Sequence, residues 1–199
     1  MFDSCPPADG PILGIDPGLS RCGYGAVRRD GAQFRAIAYG VLRTDPKAPL
    51  PNRLADLEAD LDALVTEIRP GAVAVERVLF QVNARTAISV GQASGLALAV
   101  AARAGVPVLQ YSPNEVKLAV TGDGAADKVA VQTMVCRLLD LARAPQPPDA
   151  ADALALALCH SWRAKFEREI PDDDRAPEAA GAPSRLQSAI DAALAKVVR

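Results

Sequence analysis

A single histidine, His160, in 199 residues excludes sites built on several imidazoles. It also excludes any serine or cysteine triad that does not use this residue. The four cysteines, Cys5, Cys22, Cys136 and Cys159, contain no C-x-x-C pair. Three of them sit in apolar surroundings, where free thiols pack as small hydrophobes, so neither a zinc site nor a disulfide framework is expected. Long apolar runs are missing too: each is broken by a charge or is short enough for a strand, so no membrane span or cleavable signal stands out and a cytoplasmic location is expected. Net charge is only −2, which does not by itself suggest a polyanionic partner. Its distribution alters that view. Residues 169–199 hold six acids against four bases, leaving 18 of each in residues 1–168. Nucleic acid is therefore permitted as a partner.

What is present is a sequence of short strands giving way to helices. Residues 1–10 carry no periodicity and two adjacent prolines, and read as a loose leader. ILGID (12–16) is an apolar strand stopped by Pro17 and Gly18. CGYGAV (22–27) and FRAIAYGVL (34–42) flank Asp30 and Gly31, a hairpin signal, which gives three consecutive antiparallel strands. From Pro51 the period becomes helical, with Leu54, Leu57, Leu61, Leu64, Val65 and Ile68 on one stripe until Pro70 and Gly71. AVAVE (72–76) is a fourth strand, residues 83–104 a largely apolar helix containing GQASG (91–95), and VPVLQ (106–110) a fifth strand. Helices are expected at 113–120, at 125–141 and, starting at Asp149, to about residue 169. The order predicts an α/β fold: one mixed five-stranded sheet with helices on both faces, because parallel strands need helical crossovers. The domain covers 11–169. Residues 170–199 read as a flexible acidic, Pro/Ala-rich linker followed by a short amphipathic helix.

Four acids stand where burial is costly: Asp16 and Glu76 close apolar strands, and Asp149 and Asp152 lie three apart at a helix start. Each has an ordinary explanation. Asp16 suits an Asx turn, Glu76 a solvated strand end, Asp149 an N-cap and Asp152 a favourable first-turn charge. Together, two strand acids and two helix acids would repel one another unless a cation were bound. An all-carboxylate set suits magnesium or manganese, and two such ions suit in-line phosphodiester cleavage.

ILGIDPGLSRCGYG (12–25), VERVLF (75–80), GQASG (91–95), Val116 with Lys117, and DAADALALA (149–157) occur in one order over about residues 11–163. Together they resemble the RuvC family of Holliday-junction resolvases. The resemblance implies a ribonuclease-H-like fold, a homodimer, and an endodeoxyribonuclease dependent on Mg2+ or Mn2+, with two ions per site, that makes paired nicks in four-way junctions and leaves 5′-phosphate and 3′-hydroxyl ends. It implies partnership with the RuvA and RuvB branch-migration proteins. By position it makes Asp16, Glu76, Asp149 and Asp152 the metal-binding catalytic acids; some members carry histidine at the third position, where this chain has Asp149. Lys117 and Lys128 match positions that contact DNA backbone. Leu79 falls where members carry a junction-stacking aromatic, with Phe80 one residue later, so Phe80 is open to base stacking or core packing. Arg77, Asn83 and Arg85 are further candidates for phosphate contact. The apolar 83–104 helix is the candidate dimer interface.

Other readings are open on these residues. An actin-like sugar or acetate kinase would use the Asp16 turn to cradle phosphates, but such enzymes duplicate the domain and no second opening motif occurs here. A non-catalytic junction-binding subunit would have no use for four mutually repelling acids. A related nuclease acting on RNA or other branched substrates fits the same pattern. Carboxylate repulsion also leads to the expectation of poor metal affinity before DNA arrives.

Overall fold

The computed structural model describes residues 10–78 and 84–168, the latter with backbone alone at 84–86 and 164–168. The expectations for residues 1–9, for Leu79, Phe80 and Asn83, and for the 170–199 tail lie outside them, as does the Arg85 side chain.

Strands β1 (Ile12–Asp16), β2 (Arg21–Asp30) and β3 (Gln33–Arg43) form the meander. Asp30 pairs with Gln33 across the turn, where Gly31 takes φ 62°, a left-handed conformation that glycine adopts without a Cβ penalty. Helix α1 (Leu50–Ile68) then leads to β4 (Ala72–Glu76), and α2 (Ala84–Arg103) leads to β5 (Val108–Tyr111). Three helices close the described chain: α3 (Pro113–Thr121), α4 (Lys128–Leu138) and α5 (Pro148–Arg168). The sheet order is β3-β2-β1-β4-β5, with β1 antiparallel to β2 and parallel to β4. The mixed five-stranded sheet expected from the element order is thus formed. No helix among the described residues is long and apolar enough to cross a membrane.

Two apolar clusters hold the layers together. On one face Leu13, Ile15, Val73 and Val75 pack with Leu57 and Leu61 of α1 and Ala97 and Val100 of α2. On the other, Ala74 and Val27 pack with Val116, Val131, Val135, Leu154 and Leu158 of α3 to α5. The alternation of Leu13, Ile15 against Ile12, and of Val73, Val75 against Ala74, follows from the two-residue period of a strand with both faces covered.

β2 runs on to Asp30 rather than stopping at Val27, and β5, α4 and α5 also depart from the sequence pattern. β5 covers 108–111 rather than 106–110, because Gly105 turns the chain at φ 69° and the Pro107 carbonyl accepts the Val73 N–H at 2.8 Å just before the ladder. α4 covers 128–138 rather than 125–141. It starts late because Asp127 caps it, its carboxylate accepting the Ala130 N–H at 2.7 Å, and it ends at Leu138, with Asp140 beyond at φ 52°. α5 begins at Pro148, so Asp149 lies inside the first turn and is not the N-cap; a proline suits a helix start, where its missing N–H costs nothing.

Helix α5 lies on the sheet at backbone contact distance. A Cβ at Gly14 would collide with the Ala153 carbonyl oxygen, one at Gly23 with the Asp149 carbonyl oxygen, and one at Gly25 would stand 2.7 Å from the Leu154 nitrogen. Gly14→Ala must therefore push backbone against backbone, a form of overpacking that costs roughly 3 kcal/mol or more. Its urea midpoint should fall well below that of Ala38→Gly on β3, whose side chain is only half-buried; equal midpoints would show that α5 tolerates displacement.

Candidate active site

Asp16 and Glu76 end two neighbouring parallel strands. The β1–β4 register runs Ile12 with Ala72 to Ile15 with Val75, so both acids emerge at the same end of the sheet. In an ordinary strand this would leave two carboxylates in water. Here α5 crosses the strand ends through the glycine contact and brings its first turn down over them. Asp16, Glu76 and Asp152 line one cleft of about 280 Å³ together with Pro113, Val116, Lys117, Lys128 and Val131. Asp149 lies beside it, its backbone against Gly23, which pairs with Asp16.

The electrostatics are those of crowded, half-dry acids. Burial pushes the Asp16 carboxyl up to about 7, and the charges of Glu76, Asp152 and Asp149 push in the same direction, with Lys128 opposing. Glu76 is raised by burial and by Asp152, and this is moderated by a hydrogen bond with Asp16 and by Lys128. Cys22, the second residue of β2, is raised to about 12 chiefly by burial, so it remains a thiol and is not a nucleophile.

Two bases meet the helix acids. Lys128 Nζ lies 2.7 Å from Asp152 Oδ2, and Arg21 Nη2 lies 3.4 Å from Asp149 Oδ1. The second Asp149 oxygen is buried without a hydrogen-bond partner. Among the described residues no three acid, cysteine or histidine side chains stand close enough to hold a metal ion as they are. The acids are gathered into one neighbourhood, then, but not closed into a shell. Their chemistry nevertheless fits a hard divalent cation: only oxygen donors are offered, one buried oxygen is unpartnered, and carboxyls forced toward protonation are restored to their charged form by a nearby cation.

Lys117, half-buried on α3, lines the cleft. Arg77 does not. Its N–H bonds the Tyr111 carbonyl at 2.7 Å and its guanidinium the Gln110 carbonyl at 3.1 Å, so it braces β4 against β5. Arg21 is a site residue that the sequence pattern does not single out. The available signal was the hairpin register: in an antiparallel pair the start of β2 lies beside the end of β1, and Arg21 is two residues before Gly23, the partner of Asp16.

Supporting contacts fix the surroundings. After Asp16 the chain is held by Thr44 Oγ1, which donates to the Leu19 carbonyl at 2.6 Å, and by Arg53, which donates to Thr44 Oγ1 at 3.0 Å and to Ser20 Oγ at 2.7 Å. Helix α3 starts with a capping box between Ser112 and Glu115. The Ser112 donors hold the Glu115 carboxyl down at about 2, with Arg163 adding to the effect. The buried His160 Nδ1 lies 2.7 Å from Tyr111 Oη, joining the end of β5 to α5.

Comparison with known proteins decides the family. The model for "Crossover junction endodeoxyribonuclease RuvC" matches residues 12–160, most of the chain. The chain belongs to the RuvC family. Relatives bearing the RuvC name include one from Salinispora arenicola, 58% identical over 153 residues and covering 76% of this chain and 87% of that protein. Another, from Streptomyces griseus, is 49% identical over 172 residues, 86% of this chain and 84% of that protein. Among solved structures, T. thermophilus RuvC in complex with Holliday junction substrate superposes with a TM-score of 0.75 at 40% identity, covering 79% of this chain and 96% of that one. The yeast mitochondrial Holliday junction resolvase Ydc2, at 16% identity and TM-score 0.54, shares the fold alone. The match to RuvC structures places the mixed sheet in the ribonuclease-H-like class expected from the sequence.

The raised Asp16 has a consequence for stability without metal. Its folded value of about 7 exceeds the ordinary aspartate value of 3.8, so its contribution to stability is fully present below 3.8 and is lost as pH rises through about 7. Asp16→Asn, which cannot ionise, should therefore stabilise the chelator-treated protein by roughly 2–4 kcal/mol near pH 8 and by little near pH 4. Denaturant titrations at the two pH values measure this; a destabilised variant at the higher pH would mean the carboxylate is satisfied within the fold.

Proposed function

We propose that this RuvC-family chain is a structure-selective endodeoxyribonuclease that resolves four-way DNA junctions by paired symmetric nicks, acting in homologous recombination and DNA repair. The observation that carries the reading is the convergence of Asp16, Glu76 and Asp152 on a cleft that also receives Lys117 and Lys128. Acids that need a cation lie beside bases that suit a phosphate. T. thermophilus RuvC, 40% identical, is a protein of this fold seen in complex with Holliday junction substrate.

Asp16, Glu76, Asp149 and Asp152 would hold the divalent ions. When bound, two Mg2+ or Mn2+ ions supply the Lewis-acid charge that in-line phosphodiester hydrolysis requires. The chain's own contribution is orientation. β1 and β4 present Asp16 and Glu76 at a common height, and α5 sets Asp149 and Asp152 on one side of its first turn. Lys117 and Lys128 supply positive charge for the phosphodiester backbone. Such hydrolysis would leave 5′-phosphate and 3′-hydroxyl ends.

Symmetric nicking needs two sites, and a two-fold homodimer provides them. The support lies on α2. Ala93, Ala97, Val100 and Ala101 face the core, whereas Ile88, 63% exposed, and Gly91, Gly95 and Ala99 face outward. Space over both glycines is open, which allows close approach of a second helix. A cytoplasmic enzyme working with RuvA and RuvB completes the proposal, with Leu79, Phe80, Asn83 and Arg85 as further junction contacts after β4. Residues 1–10 and 170–199 are proposed as segments flanking the nuclease domain at 11–169.

A labelled mobile four-way junction, incubated with Mg2+ or Mn2+ beside a linear duplex, tests the activity. Wild type should nick the junction symmetrically and leave the duplex intact. Glu76→Gln should cut at least about a thousandfold more slowly, in line with losing electrostatic support for the reacting phosphate, yet bind the junction as tightly or tighter. Tight binding without cleavage by wild type would favour a non-catalytic subunit, and preference for RNA or flaps a different nuclease. Deleting residues 170–199 should leave nicking of a free junction within about twofold, because none of the site acids lies there and additivity holds for remote segments. A collapse of activity would make the tail part of the site or the dimer.

A further inference from the structure

Lys128 is engaged in a contact that a purely DNA-binding lysine would not need. It is the first residue of α4, a helix anchored by its Asp127 cap and by the buried Val131 and Val135, so the root of its side chain is fixed. From there its ammonium reaches across the cleft to Asp152 at 2.7 Å. Lys117 lines the same cleft from α3 but makes no ion pair among the described residues. The two lysines of one cleft therefore stand in different situations. Arg21 differs as well: its contact with Asp149 is longer, at 3.4 Å, and leaves the buried Oδ2 available.

A compact ammonium with three donors is a good stand-in for a small cation among carboxylates. It is also a competitor, because a divalent ion entering beside Asp152 meets a positive charge already within hydrogen-bond reach. Resting on the reading of these acids as a metal site, we propose that Lys128 is the resident counter-ion of that site, and that metal binding requires its ammonium to leave Asp152. A DNA phosphate then offers the released ammonium an equivalent anionic partner. Metal and DNA therefore bind with positive coupling, each improving the affinity for the other, and linkage makes the coupling reciprocal. This goes beyond repulsion between acids as the cause of weak metal binding without DNA: the cause includes one specific, exchangeable ion pair.

The experiment is Mn2+ binding to the full-length protein without DNA, followed by electron paramagnetic resonance of free Mn2+ and by the Mn2+-induced rise in melting temperature. Wild type, Lys128→Met, Lys128→Arg, Lys117→Met and Asp16→Asn are compared. Lys128→Met should bind Mn2+ roughly five- to tenfold tighter than wild type, the scale expected when a partly exposed competing ion pair is removed. Lys128→Arg, which can keep the pair, and Lys117→Met, which removes an equal charge from the same cleft, should stay within roughly twofold of wild type by the same argument. An unchanged or weaker affinity in Lys128→Met would overturn the proposal, as would equal tightening in Lys117→Met, since a general field would then suffice. If no protein, Lys128→Met included, shows saturable binding that Asp16→Asn abolishes even after junction DNA is added, the metal-site reading itself fails. That outcome is distinct from saturable binding indifferent to residue 128.

Discussion

The fold depends on how closely one helix can lie on one pair of strands. Gly14, Gly23 and Gly25 leave β1 and β2 bare where α5 crosses, and α5 answers with alanines at 150, 151, 153, 155 and 157. Backbone meets backbone over two turns. At the usual helix-to-sheet spacing, with side chains between the layers, Asp149 and Asp152 would stand farther from Asp16. The small residues therefore set the reach of the acids, and packing density in this layer becomes a condition of chemistry.

The acids then impose a second constraint. Carboxylates brought together in a half-dry cleft oppose folding in proportion to their charge, and the molecule limits that cost locally. Asp16 and Glu76 share a hydrogen bond, Asp152 takes Lys128, and Asp149 takes Arg21. The turn after Asp16 is held by Thr44 and Arg53 instead of being left to absorb the repulsion. His160, which composition alone could only set aside as a lone imidazole, serves as a buried tie between Tyr111 and α5. Such an arrangement holds strained groups near their working positions while keeping them exchangeable.

Much of this was legible from residue order. The apolar strand segments stopped by acids, the Asp30–Gly31 hairpin and the alternation of strands with helices were enough to place Asp16 and Glu76 at one sheet end. The Asp149 and Asp152 spacing put both on one helix turn. Less legible were features decided by neighbours distant in sequence. Capping by Asp127 shortened α4, and the turn at Gly105 delayed β5. Pro148 took the helix start from Asp149. Arg21, one residue before the expected strand, is brought beside Asp149 by the β1–β2 register, and Arg77 sits against the Gln110 and Tyr111 carbonyls outside the cleft lining.

The meander is also asymmetric. β2 and β3 run 10 and 11 residues, whereas β1 has five, and the ladder between β1 and β2 stops at Ile12 with Val27. Residues 28 to 35 therefore overhang the sheet at the end opposite Asp16, with Phe34 fastened to Trp162 of α5 by an edge-to-face contact at 5.9 Å. This makes the hairpin tip a handle: a fluorophore or surface tether attached at Ala32 would be rigidly linked to the helix that carries two of the acids, yet remote from them. The position of α5 is then readable one molecule at a time from the sheet end opposite Asp16.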